Sequence, residues 1–266
     1  MQKYREPQDC SQHVMKRRNS IMKAKLFNFT PDNTTLVGIV SGILMIVLSI
    51  TMNVFPDNVF AHFILRNILM IYILGFVFPL YFILYKEKRS LSVLGIHTKK
   101  IRLSLVINLV AAAALLAIFI KEKSTPIVFT REHFFAIVYI FVAGVFEMLF
   151  IYGFLRYEFE KAFGIIPAII LTAFFYSLHH AGFQPEFVEL FFVGILYTTV
   201  FYSTRNLFCI FPFFWGVGAV WDVLVDSDAG NRITNKTSFV ISIVLIMCMF
   251  ITAILIYRVR KHKPIT

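Results

Sequence analysis

Charge is what this sequence has least of. Only 15% of its 266 residues are Asp, Glu, Lys or Arg, and 58% are apolar. A soluble domain carries about 25% charged and about 45–50% apolar residues. Too few charges remain to wet the surface of a soluble fold of this length. Cysteine is nearly as scarce: Cys10, Cys209 and Cys248 show neither paired nor metal-ligand spacing. That removes a disulfide framework and a thiolate metal site, and the latter two read as small apolar fillers in lipid-embedded helices. Linkers, repeats and low-complexity tracts are missing, so nothing divides the chain into several domains. The polar start lacks an apolar h-region, so no cleavable signal peptide is expected.

What is present is a series of long apolar runs. A hydrocarbon core about 30 Å thick needs about 20 apolar residues per helix. Spans are expected near Leu36–Phe55, Val59–Tyr85, Leu103–Ile120, Phe134–Leu155, Ile165–Phe183, Phe187–Tyr202, Leu207–Val225 and Phe239–Tyr257. Breakers separate them: Pro56-Asp57-Asn58, Thr125-Pro126, Gly182 to Pro185, and Asp226 to Asn231. Barrel strands would alternate every second residue, and these runs do not, so only helices satisfy their backbones in lipid. The expected fold is an all-α polytopic membrane protein of eight helices. Residues 34–258 form its single transmembrane domain, 1–33 a basic N-terminal segment and 259–266 a basic tail.

The formal charge of +11 belongs to this topology rather than to nucleic acid. With the N-terminus inside, twenty Lys and Arg fall on the cytoplasmic side, five fall outside, and Arg66 sits within a span. That asymmetry satisfies the positive-inside rule and requires an even number of crossings. The expected location is the plasma membrane of a bacterial cell with both termini cytoplasmic. The run from Lys16 to Lys25 suits contact with anionic headgroups.

An ionisable side chain in mid-membrane costs about 2.5–3.5 kcal/mol on insertion scales and marks a functional site by default. Three places stand out: Glu147 in span four, His179-His180 at the end of span five, and Asp222 in span seven. A carboxylate, an imidazole and a second carboxylate are able to activate water for hydrolysis, bind a metal or relay protons. His180 continues a polar stripe through Thr172 and Tyr176, whereas His179 follows Leu171 and Phe175 on an apolar face. This favours His180 as the working residue with His179 as its neighbour. No cofactor is written in the sequence; a divalent metal at Glu147 and His180 is compatible with these ligands.

The stretch Glu147-Met148-Leu149-Phe150-Ile151-Tyr152-Gly153 resembles the first motif of the CPBP family, Glu-Glu-x-x-x-Arg followed by Gly. Tyr176 to His180 resembles its second motif, an aromatic residue four before His, and Phe175 to His179 fits equally well. Gly218 to Asp222 falls where the third motif, His-x-x-x-Asn or Asp, would lie. The family comprises type II CAAX prenyl endopeptidases and bacteriocin-processing, bacteriocin-immunity or Abi-like membrane proteins. The resemblance covers about 130–225 and implies an eight-helix bundle with a conical cavity open to the cytoplasm. It also implies a water activated by Glu147 and by His180 or His179, acting on membrane-anchored peptides or proteins.

Three positions depart from the pattern: Met148 for the second glutamate, Tyr152 for the arginine, and Gly218 for the third-motif histidine. Positions 148 and 152 face the same way one turn apart, where Glu and Arg would pair. Replacing both members of a buried pair with packed apolar groups is often neutral, so Met148–Tyr152 reads as a compensated exchange. Nothing adjacent in sequence replaces an imidazole at 218. Two functions stay open: an active endopeptidase, or an inactive relative that scaffolds or regulates a membrane-protein partner. A transporter is disfavoured, since inverted repeats and paired broken helices are lacking.

Plainer roles are available for several of these groups. Glu147 suits a structural hydrogen bond, and Asp222 suits a solvated helix end. Arg66 and His62 are expected to snorkel to the headgroups, and Glu186 and Glu189 to complement a helix dipole. Arg156, Glu158, Glu160 and Lys161 read as an interfacial turn. Ending span four at Leu155 sets Glu147 and His180 at depths about 6–10 Å apart.

Overall fold

The structure is a computed structural model that describes residues 25–55, 58–123, 129–182, 184–226 and 233–262. Cys10, the basic run from Lys16 to Lys23, and the breakers at Pro56, Thr125-Pro126 and Asp228 lie outside the described residues. Among these residues there is no strand. Six helices are long and apolar enough to cross a membrane: α1 (Asn33–Val54), α2 (Val59–Lys86), α3 (Ile101–Glu122), α4 (Arg131–Phe163), α6 (Phe187–Thr204) and α8 (from Lys236). Two shorter apolar helices, α5 (Ile165–Ala181) and α7 (Phe213–Trp221, continued by Asp222–Asp226), complete an all-α polytopic membrane protein.

The core is built round α4. Two-thirds of its apolar window (67%) is buried, against 17% for α3 and α8. Phe146, Phe150, Ile151, Tyr152, Phe154 and Leu155 are almost fully enclosed. Outward faces such as Leu36, Val40, Leu44 and Val47 of α1 are exposed apolar surface, as lipid-facing helices require. Where α5 and α6 meet, a Cβ on Gly194 would stand 2.8 Å from the Ala173 Cα. Small residues there let two backbones approach closely.

Span four does not end at Leu155. Its charged extension stays helical to Phe163 and is buried, with Arg156 at 3%, Glu158 at 0% and Glu160 at 9% exposure. The expected interfacial turn is replaced by paired charges. Arg156 Nη1 donates to Glu160 Oε2 at 2.8 Å, and Arg205 Nη1 donates to Glu160 Oε1 at 2.9 Å. Lys161 Nζ lies 2.8 Å from Glu87 Oε1 and 3.0 Å from Glu158 Oε2. Internal partners make these charges tolerable away from bulk water.

The turn from α4 to α5 passes through Gly164 at φ +89°, a left-handed conformation suited to glycine. The segment before α1 docks there, with Asn28 N–H donating to the Phe163 carbonyl at 2.8 Å and Ile165 N–H to that of Lys25 at 3.0 Å. Span seven also starts later than expected. Leu207–Cys209 is a 3-10 turn, a cis peptide precedes Pro212, and the helix begins at Phe213. Cys209 is therefore a buried turn residue rather than a filler in a spanning helix; burial pushes its thiol up to about 11.

Candidate functional site

The longer α4 removes the depth mismatch. Glu147 precedes the end of α4 at Phe163 by sixteen residues, and His180 follows the start of α5 at Ile165 by fifteen. At about 1.5 Å per residue the two stand at nearly the same level. Their side chains meet: His180 Nε2 lies 3.3 Å from Glu147 Oε1.

The other carboxylate oxygen is held from α7, where Trp215 Nε1–H donates to Glu147 Oε2 at 2.8 Å. The indole fits because Gly144, one turn before Glu147, has no side chain; a Cβ there would collide with its ring. Helical bonding widens to i→i+5 from Glu147 to Leu155, and such irregularity often accompanies functional positions.

His179 turns the other way along α5. Its Nδ1 is 2.6 Å from Ser49 Oγ on α1, and its ring packs edge-on to Phe146 at 5.1 Å. Ser49 also donates to the Met45 carbonyl at 3.1 Å. The two histidine rings stand 4.8 Å apart. Glu147, His179 and His180 each offer one donor atom, all within 4.8 Å of one another, which is a set able to hold a divalent ion.

A cavity of about 400 Å³ borders this cluster, within the size range of ligand sites. Glu147 is almost enclosed, whereas the His180 side chain is 31% exposed and lines the cavity. Tyr176 packs edge-on to His180 at 4.6 Å, and Tyr152 lies against Tyr176 at 5.6 Å and Tyr197 at 5.9 Å. Met148 and Tyr152 are both buried, Tyr152 with a hydroxyl that makes no hydrogen bond among the described residues. Asp222 is exposed and lines the cavity too, one turn beyond Gly218.

Gly218 is where the site differs most from its sequence appearance. A Cβ on it would stand 2.5 Å from the Tyr197 hydroxyl. The space of a side chain at 218 is thus already taken by a phenol arriving from α6, and Tyr197 lines the cavity there.

Arg66 does not snorkel. It lines the cavity with its guanidinium 5.0 Å from the Tyr139 ring centre, and its buried Nε lacks a hydrogen-bond partner among the described residues. The aromatic face of α4 draws the cation inward. His62 is likewise turned in, its Nε2 buried. Glu186 and Glu189 stand at the start of α6 as expected, and Glu189 also lines the cavity.

Sequence reasoning missed Trp215, Ser49, Tyr197 and Arg66 as neighbours of the cluster. Each comes from a different helix, and none carries a motif. The available signals were weak: one of only two tryptophans, three residues before Gly218, and one arginine within a span.

No curated protein and no solved structure matches the chain. One family model does, described as type II CAAX prenyl endopeptidase Rce1-like, over residues 129–220, about a third of the length. That segment contains Glu147, Met148, Tyr152, Tyr176, His179, His180 and Gly218, while Asp222 falls just beyond it. Over residues 129–220, on a bundle of membrane-spanning helices, the chain is thus similar to the type II CAAX prenyl endopeptidase Rce1-like family.

Proposed function

We propose that this protein is an intramembrane endopeptidase of the CPBP type, with Glu147 as general base. The observation that carries the reading is the Glu147–His180 pair, 3.3 Å apart beside a cavity of about 400 Å³. A carboxylate and an imidazole in contact within the bilayer span need a reason, and water activation supplies one.

Glu147 Oε1 takes a proton from an incoming water as its oxygen attacks the scissile carbonyl carbon. His180 Nε2–H orients that water and the carboxylate. The Tyr197 hydroxyl, in the space beside Gly218, donates to the developing oxyanion. As the C–N bond breaks, the proton on Glu147 passes to the leaving nitrogen. Trp215 holds the second carboxylate oxygen so that Oε1 alone moves protons. A divalent ion held by Glu147, His179 and His180 would polarise the scissile carbonyl as a Lewis acid.

The substrates are membrane-anchored peptides or proteins, and the protein resides in a bacterial plasma membrane with both termini cytoplasmic. A second reading has its own observation: Met148, Tyr152 and Gly218 replace three polar motif positions with packed groups. On that reading the chain scaffolds a membrane-protein partner.

Complementation separates the two. Cells lacking the protein are supplied with wild type or Glu147→Gln at equal levels, and their membrane and secreted peptides are compared. Processed products that return only with wild type support the endopeptidase. Equal rescue of the deletion phenotype by both forms, without new products, supports the scaffold.

A further inference from the structure

The cavity's walls come from seven of the eight helices, and its lining residues sit at one end of the bundle. Asn53 is in the last turn of α1, Arg66 near the start of α2, and Phe119 near the end of α3. His180 ends α5, Glu189 lies in the first turn of α6, and Asp222 closes the regular part of α7. In an up-and-down bundle the ends of odd helices and the starts of even ones share a side. Asn53, Glu189 and Asp222 are exposed there, at the mouth.

The opposite end carries the charge. Twenty Lys and Arg lie on the side of the N-terminal segment, the end of α2 and start of α3, the charged end of α4, Arg205 and the end of α8 with the tail. Five lie on the side of the mouth. Three of the twenty are fixed at that end by ion pairs: Arg156 and Arg205 to Glu160, and Lys161 to Glu87 and Glu158. Membrane insertion retains the Lys- and Arg-rich side in the cytoplasm, with Asp and Glu contributing little. A cytoplasmic mouth would require the twenty to cross instead of the five.

We propose that the cavity opens on the extracytoplasmic face and takes its substrate from there, either an exported peptide or the extracytoplasmic end of a membrane protein. The proposal departs from the cytoplasmic opening that the family resemblance implies. The choice of substrate rests on the endopeptidase reading; the orientation does not.

The test is cysteine labelling of the full chain in right-side-out and inverted membrane vesicles. The background carries Cys10→Ser, Cys209→Ser and Cys248→Ser. Asn53→Cys reports the mouth, Glu186→Cys gives a second exposed reporter at the start of α6, and Lys99→Cys reports the basic end. A charged, membrane-impermeant maleimide should label Asn53→Cys and Glu186→Cys in right-side-out vesicles, and Lys99→Cys only after inversion. The reverse pattern overturns the orientation. For the substrate, peptide termini that depend on Glu147 should map to exported segments; termini in cytoplasmic segments overturn that half. Predicted labelling without any such termini leaves the orientation standing and removes the endopeptidase instead.

Discussion

At the residue scale the site depends on how one carboxylate is held. Trp215 Nε1 ties Glu147 Oε2 at 2.8 Å, and His180 meets Oε1 at 3.3 Å. A hydrogen bond to a charged group contributes about 1.5–3 kcal/mol. Trp215→Phe keeps most of the ring and removes the donor, so turnover should fall about 10- to 100-fold. Protein level and thermal stability, measured alongside, should change little. Gly218 and Tyr197 give a second case. Gly218→Ala pushes a methyl at the Tyr197 hydroxyl and should destabilise the fold; the same change in a Tyr197→Phe background should cost much less. Melting of the four proteins in detergent measures the coupling, expected at about 0.5–3 kcal/mol. Additive effects would mean that the phenol does not occupy that space.

At the scale of elements, the sequence made some features legible and hid others. Among the described residues the apolar runs located six helices of spanning length and two shorter apolar ones, because lipid demands continuous apolar stretches. Glu147 and His180 were visible for a related reason, since an ionisable group within such a run is conspicuous. The end of α4 was hidden. Arg156, Glu158, Glu160 and Lys161 look solvated in a linear reading, yet Thr34 of α1, and Glu87 and Arg205 just past the ends of α2 and α6, arrive to partner them. Arg66 was misread likewise, because its aromatic neighbour Tyr139 lies on α4.

The start of α1 offers a test at this scale. Asp32 Oδ1 accepts from Thr34 N–H at 3.0 Å and Thr35 N–H at 2.9 Å. Burial pushes the Asp32 carboxyl up, but bonds from Thr34 and Thr35 and the Lys161 charge outweigh it and hold it well below the usual range. A lowered folded-state value means the cap's contribution is complete above the unfolded value of about 3.9. It is lost as pH falls below that value. Asp32→Ala should therefore cost about 1 kcal/mol near neutrality, read by thermal melting in detergent, with the difference from wild type shrinking in acid.

At the scale of the whole molecule, a basic end stapled by ion pairs stands opposite an end that opens into a cavity with a paired carboxylate and imidazole. The second is where the proposed chemistry would take place. Purified protein in lipid nanodiscs, incubated with membranes from cells that lack it, tests this most directly. Mass spectrometry then reads new peptide termini. Wild type should generate termini that are absent with Glu147→Gln and strongly reduced with His180→Ala. Identical termini from wild type and Glu147→Gln would contradict the account.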